Sequence, residues 1–135
     1  MCEKIHDGQQ MDVRPKSRIM EDKLMVSIGR NEVPIVIDNI IYVESRNRKV
    51  AVHTTREEIE YYDRIEDLER LLGNDFFRTH RGFLVNLSCV ESYDRMGANM
   101  KGGDVALISK YKFHAFDEVY RAYRESRDRQ GIRKL

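Results

Sequence analysis

Three groups of basic side chains carry the chemistry this chain can offer: Arg46, Arg48 and Lys49; Arg78, His80 and Arg81; and Lys110 and Lys112. The second group is the densest. It stands in FFRTHRGFLVNL (76–87), where the charges abut the head of a strongly apolar run and Gly82 allows a bend just after Arg81. Guanidinium and ammonium groups attract phosphate oxygens without regard to sequence. The arginine fork also matches O6 and N7 of guanine in the major groove. Such groups, projected from loops on a rigid scaffold, suit duplex nucleic acid. Plainer roles stand beside this one. Arg46, Arg48 and Lys49 also suit a hairpin that only needs to stay soluble. His80 fits a hydrogen-bonded structural histidine better than a base reader, and Asn86 fits a buried turn or strand end. Arg81 resists a purely structural reading, because the strand after Gly82 anchors it in place.

No reactive constellation competes with these groups. The sequence has no HExxH, GxSxG or P-loop, and no glycine fingerprint opening a helix after a strand. Glu57 and Glu58 fall in a turn, where they read as solvated. Glu66 and Asp67 fall in the first turn of a short helix, where negative charge is favoured. Cys2 and Cys89 lack the spacing of a metal site or disulfide framework, and Cys89 reads as a small core residue. The expectation is a protein with no enzymatic activity, no metal and no cofactor.

The 135 residues are 41% apolar and 35% charged, which is enough for the core of one domain. No apolar stretch is long enough to span a membrane, and no signal-peptide core is present, so a soluble, cytoplasmic protein is expected. The net charge of +1 is unevenly distributed. Residues 25–120 carry 13 basic and 16 acidic side chains, whereas residues 121–135 carry six basic and two acidic.

The elements that must position the basic groups are mostly strands. Residues 1–23 lack a period and read as a linker or flexible arm. Alternating or β-branched runs predict strands near 24–28, 33–37, 40–44, 49–54 and 59–62, with Pro34 placing its strand at a start or an edge. DRIEDLERLLG (63–73) predicts a short helix. Asp63 would be its N-cap, Glu66 its capping-box partner and the i,i+4 mate of Arg70, and Gly73 its end. Strands return at 76–80, 83–87 and 89–94. A turn at 96–99 and a KGGD hairpin (101–104) precede a strand at 105–108. Ser109 caps a final helix whose stripe is Phe113, Phe116, Val119, Tyr120 and Tyr123. The absence of βαβ alternation excludes a parallel nucleotide-binding sheet.

Residues 40–123 as a whole resemble the LytTR family of bacterial DNA-binding domains, usually the output domain of response regulators. The likeness rests on IIYVES (40–45), KVAVHT (49–54), IEYYDRIEDLERLL (59–72), FFRTHRGFLVNLSCVES (76–92) and VALISKYKF (105–113). It implies a mostly β fold, an elongated stack of small antiparallel sheets with one short inserted helix and a C-terminal helix. It also implies double-stranded DNA as partner, with loops entering successive major grooves at paired direct repeats bound by two protomers. By position, Arg48 or Lys49 falls in the first reading loop, Arg81 is the central base contact, and the third contact follows Ser109. There the family often has a basic side chain two residues on, where this chain has Tyr111.

The expected organisation is a linker or arm at 1–23, a LytTR-like domain at 24–125 and a basic tail at 126–135. Nothing upstream of residue 24 would form a receiver domain, so control would come from a receiver or histidine-kinase pathway elsewhere, or the domain would stand alone. The expected function is sequence-specific transcriptional regulation. The alternatives are an interaction module that regulates another transcription factor without binding DNA, and a small-ligand or enzymatic domain with a pocket around His80 and Cys89.

Overall fold

The computed structural model describes residues 16–134, with side chains to Asp128. Among the described residues, three antiparallel sheets are accompanied by two α-helices. The first sheet holds β1 (Ser17–Met20), β2 (Lys23–Ile28) and β3 (Asn31–Val36) in sequence order. The central sheet holds β4 (Ile40–Arg46), β5 (Lys49–Thr54), β6 (Glu58–Tyr62), β7 (Phe76–His80) and β8 (Phe83–Asn86), in the spatial order β6-β5-β4-β8-β7. The third holds β9 (Val90–Tyr93), β10 (Gly97–Met100) and β11 (Val105–Leu107). Helix α1 (Ile65–Leu72) links the two edges of the central sheet, and α2 (Phe113–Lys134) closes the chain. This is the mostly antiparallel β architecture expected from the sequence.

The central sheet is covered on both faces. On one, Val43, Val50, Val52, Tyr61 and Leu84 pack against α1 and against Leu24, Val26 and Ile35 of the first sheet. On the other, Tyr42 and Val85 pack with the third sheet and with Phe116 and Tyr120 of α2. Strand alternation sorts the two sets, since successive side chains point to opposite faces. Asn86, buried between them, donates from Nδ2 to the Ile40 carbonyl at 2.8 Å and accepts from the Ser88 amide. This is the structural role its place in an apolar run predicts. Cys89 is buried in the second core.

Five local expectations are corrected. Residues 17–20, expected within a linker, form β1 and pair with β2; residues 1–15 of that segment lie outside the described residues. The anchor is polar, so it leaves no hydrophobic period. Buried Ser17 shares a 2.7 Å hydrogen bond with the Tyr61 hydroxyl and donates to the Asp63 carboxylate. That occupies Asp63, and the N-cap of α1 is Arg64, without a side-chain cap. Arg70 pairs with Asp67 rather than with Glu66. Residues 97–100, expected as part of a turn, are a strand. The turn precedes it, held by the Asp94 carboxylate, which accepts from the amides of Met96 (2.8 Å) and Gly97 (3.1 Å). Gly97 belongs inside the strand because a Cβ there would stand 2.8 Å from Val105 Cγ1 and 3.0 Å from the Ala106 carbonyl oxygen. At the other end of the chain, α2 continues to Lys134, through the stretch expected as a tail.

Candidate nucleic-acid interface

The register of the central sheet brings the three basic segments to one end of it. Strands β4 and β8 pair with Glu44 opposite Phe83, and the Ser45 amide donates to the Gly82 carbonyl at 2.9 Å. The β4–β5 turn and the β7–β8 turn are therefore neighbours. Beyond β7, the chain leaving β11 is held by the Ser109 amide on the Thr79 carbonyl and by the Thr79 hydroxyl on the Leu107 carbonyl, both at 2.8 Å. Thr79 is buried and was not anticipated as a site residue. Its inward place between Arg78 and His80 is the signal that marks it. The three segments form a row along the sheet end.

In the middle segment the basic residues divide into those that build the loop and one that projects from it. Arg78 is the builder, with a side chain only 12% exposed. Its Nε donates to the His80 carbonyl at 3.0 Å, its Nη2 to the Arg81 carbonyl at 2.5 Å, and its Nη1 to Glu69 of α1 at 2.8 Å. His80 accepts from the Gly82 amide on Nδ1 at 3.0 Å and sets its ring edge-to-face with Phe83. Both residues, candidates for DNA contact from sequence, are occupied within the protein. Arg81 is exposed, and among the described residues its side chain has no hydrogen bond or ion pair.

The first segment repeats this division. Arg46 and Lys49 pair across a two-residue turn in which Asn47 takes a left-handed conformation (φ 62°), tolerable for asparagine. Arg46 is bound to Glu58 through both carboxylate oxygens, and to Glu44 (3.0 Å) and Glu60 (3.3 Å). The Glu58 hydrogen bonds raise the Arg46 pKa further above its ordinary value, and Arg46 in turn holds Glu58 below the usual carboxylate range. Lys49 approaches Glu60 at 3.8 Å and lies over the Tyr62 ring. Arg48, at the tip, is exposed and has no side-chain partner among the described residues.

The third segment is a turn built on Ser109, whose hydroxyl accepts from the Tyr111 amide at 3.2 Å and whose carbonyl accepts from the Lys112 amide at 2.9 Å. Tyr111 is 84% exposed, with Lys110 over its ring, and Lys112 lies over Phe77. His80 and Cys89 do not meet. The first lies at the loop end of the β7–β8 pair, while the second follows β8 at the far end, so the two do not line one site.

The family model of the LytTr DNA-binding domain matches residues 30–121. The chain belongs to the LytTR family. All three basic segments fall inside the matched residues, while β1, β2 and the last turns of α2 lie outside them. The fold agrees with that of the LytTr DNA-binding domain of a putative methyl-accepting/DNA response regulator from Bacillus cereus. The TM-score is 0.65 at 19% identity, over 74% of this chain and 97% of that one. The LytTR domain is also similar to Accessory gene regulator protein A of Staphylococcus aureus strain N315, 34% identical over 68 residues, covering 49% of this chain and 28% of that protein. The Staphylococcus epidermidis RP62A counterpart is 31% identical over 75 residues, covering 54% of this chain and 31% of its own. This chain spans less than a third of the length of these curated relatives.

Proposed function

We propose that this LytTR domain binds double-stranded DNA sequence-specifically through the row of three segments and thereby regulates transcription in the cytoplasm. Arg81 is the central base contact, Arg48 reads from the first hairpin, and Lys49, Lys110 and Lys112 hold phosphates. Arg78 and His80 act behind Arg81, fixing the loop that carries it. One observation carries this reading: Arg48 and Arg81 are exposed and unpartnered at adjacent turns, while the residues around each are tied down. A bidentate arginine contact discriminates only when its geometry is held.

Hairpins two strands apart are centred about 10 Å from one another, so the whole row extends roughly 15–20 Å. That exceeds the roughly 12 Å width of one major groove, so the segments reach across a phosphate ridge into more than one groove. We further propose paired direct repeats as the target, a second protomer on the same DNA, and control through a receiver domain or histidine-kinase pathway. The DNA-binding unit then begins at Ser17, because β1 is pinned to Tyr61 and Asp63. Anisotropy titration of an enriched and a scrambled duplex at two salt concentrations tests the reading. Tighter binding to the enriched duplex, with log K falling by about 0.9 per phosphate neutralised for each unit of log salt, is the expected result. Equal binding to both duplexes contradicts it.

A further inference from the structure

Arg46 belongs to the first reading hairpin by position, yet its surroundings give it a different task. One face of β4, β5 and β6 carries Glu44, Arg46, Lys49, Glu58 and Glu60 along its length, from the loop end at Lys49 to Glu58 opposite His53, with acidic groups in excess. Arg46 stands among the three carboxylates and takes four hydrogen bonds to them, from both terminal nitrogens. Behind it, His53 places Nε2 3.2 Å from Glu44 and stacks on Tyr42 at 4.1 Å, closing the cluster against the sheet. Using the Arg46 charge on a phosphate would break these bonds and leave the carboxylates facing DNA uncompensated.

Resting on the DNA-binding reading above, we propose that Arg46 is a positioning residue. It ties β4 to edge strand β6, neutralises the carboxylates along that face, and so holds the Asn47–Arg48 tip in the shape that presents Arg48 to a base. It does not itself touch DNA. Bidentate arginine–carboxylate pairs organised as a network are the form of surface ion pair that contributes measurably.

Arg46→Gln, Glu58→Gln and the double variant distinguish positioning from contact. Each single variant should lower the ratio of enriched-duplex to random-duplex affinity by about five- to tenfold, and the double variant should lose no more than either, as coupled residues do. The salt dependence should match that of the wild type. Amide hydrogen exchange at residues 47 and 48 of the free protein should quicken in all three variants. The proposal is overturned if Glu58→Gln tightens DNA binding by releasing Arg46. It is also overturned if Arg46→Gln weakens both duplexes equally and reduces the salt slope by about one. A fold too weak to bear Arg46→Gln leaves Glu58→Gln to decide. If the wild type prefers no duplex, the DNA-binding reading fails, and unchanged exchange at residues 47 and 48 would then reject the clamp as well.

Discussion

At the scale of single residues, Arg81 and Arg78 illustrate two uses of one side-chain type three positions apart. Arg81→Ala removes a projecting fork and nothing that the fold uses. It should reduce discrimination between target and random DNA by about 1–3 kcal/mol, with thermal stability unchanged. Equal losses on both DNAs would reassign Arg81 to a phosphate. Arg78→Leu strips two loop carbonyls of their donor, which should cost about 1–3 kcal/mol of stability. Discrimination should fall with it, and a stable, fully specific Arg78→Leu variant would contradict the clamp. The sequence locates these positive charges but not the direction in which they point. That direction depends on Glu69 nine residues upstream and on backbone carbonyls that no pattern of side chains displays. Glu58 adds a pH dependence. Its pKa is lowered in the fold, so its contribution is complete above the unfolded value of about 4.3 and is lost as pH falls through the lower folded value. Melting temperatures of wild type and Arg46→Gln should therefore converge as pH drops from about 5 to about 2. Parallel curves would show that the pair adds nothing.

At the scale of elements, what the loops can do depends on how firmly β7, β8 and α2 are seated. Phe116 is fully buried, edge-on to Phe77 and Tyr93. The Tyr120 hydroxyl donates to the Val90 carbonyl at 3.1 Å, and the Tyr93 hydroxyl donates to Asp117. These contacts fix the start of α2 and hence the turn at Ser109. Phe116→Ala should cost about 3–5 kcal/mol in chemical denaturation, and a loss within error would show that the α2 stripe is not core. The elements legible in the sequence were those whose side chains face a core at a regular period, among them β2, β4, β5, the apolar face of α1 and the Phe116–Tyr120 part of α2. Strands β1 and β10 were not, for separate physical reasons. The first is pinned by Ser17 to a tyrosine 44 residues away. The second begins with a glycine required by the neighbouring Val105 and Ala106, which reads in sequence as a turn.

At the scale of the whole molecule, the small net charge says little about what stands at each end of the central sheet. Arg48 and Arg81, exposed and without side-chain partners among the described residues, stand at one end of the central sheet, whereas Glu58 and Glu60 bind Arg46 on its side. Helix α2 starts at that end and runs to the opposite one, where Tyr123 and Arg127 lie near Phe76, Asn86 and Asp38. Arg124 and Arg127 are thus carried away from the row of loops, and they should contribute little to base discrimination. The general likeness of residues 40–123 to LytTR domains was legible because the FxRxHR stretch encodes a loop and its support together. The division of work within that stretch exists only in the folded chain, where Glu69 and two loop carbonyls claim Arg78 and leave Arg81 projecting. The measurement that bears most directly on the central claim is selection from a random duplex pool with wild type and with Arg81→Ala in parallel. Enrichment of a paired repeat by the wild type, lost in the variant, is the predicted result. No enrichment at low salt by folded wild-type protein, or the same repeat enriched by both, would contradict it.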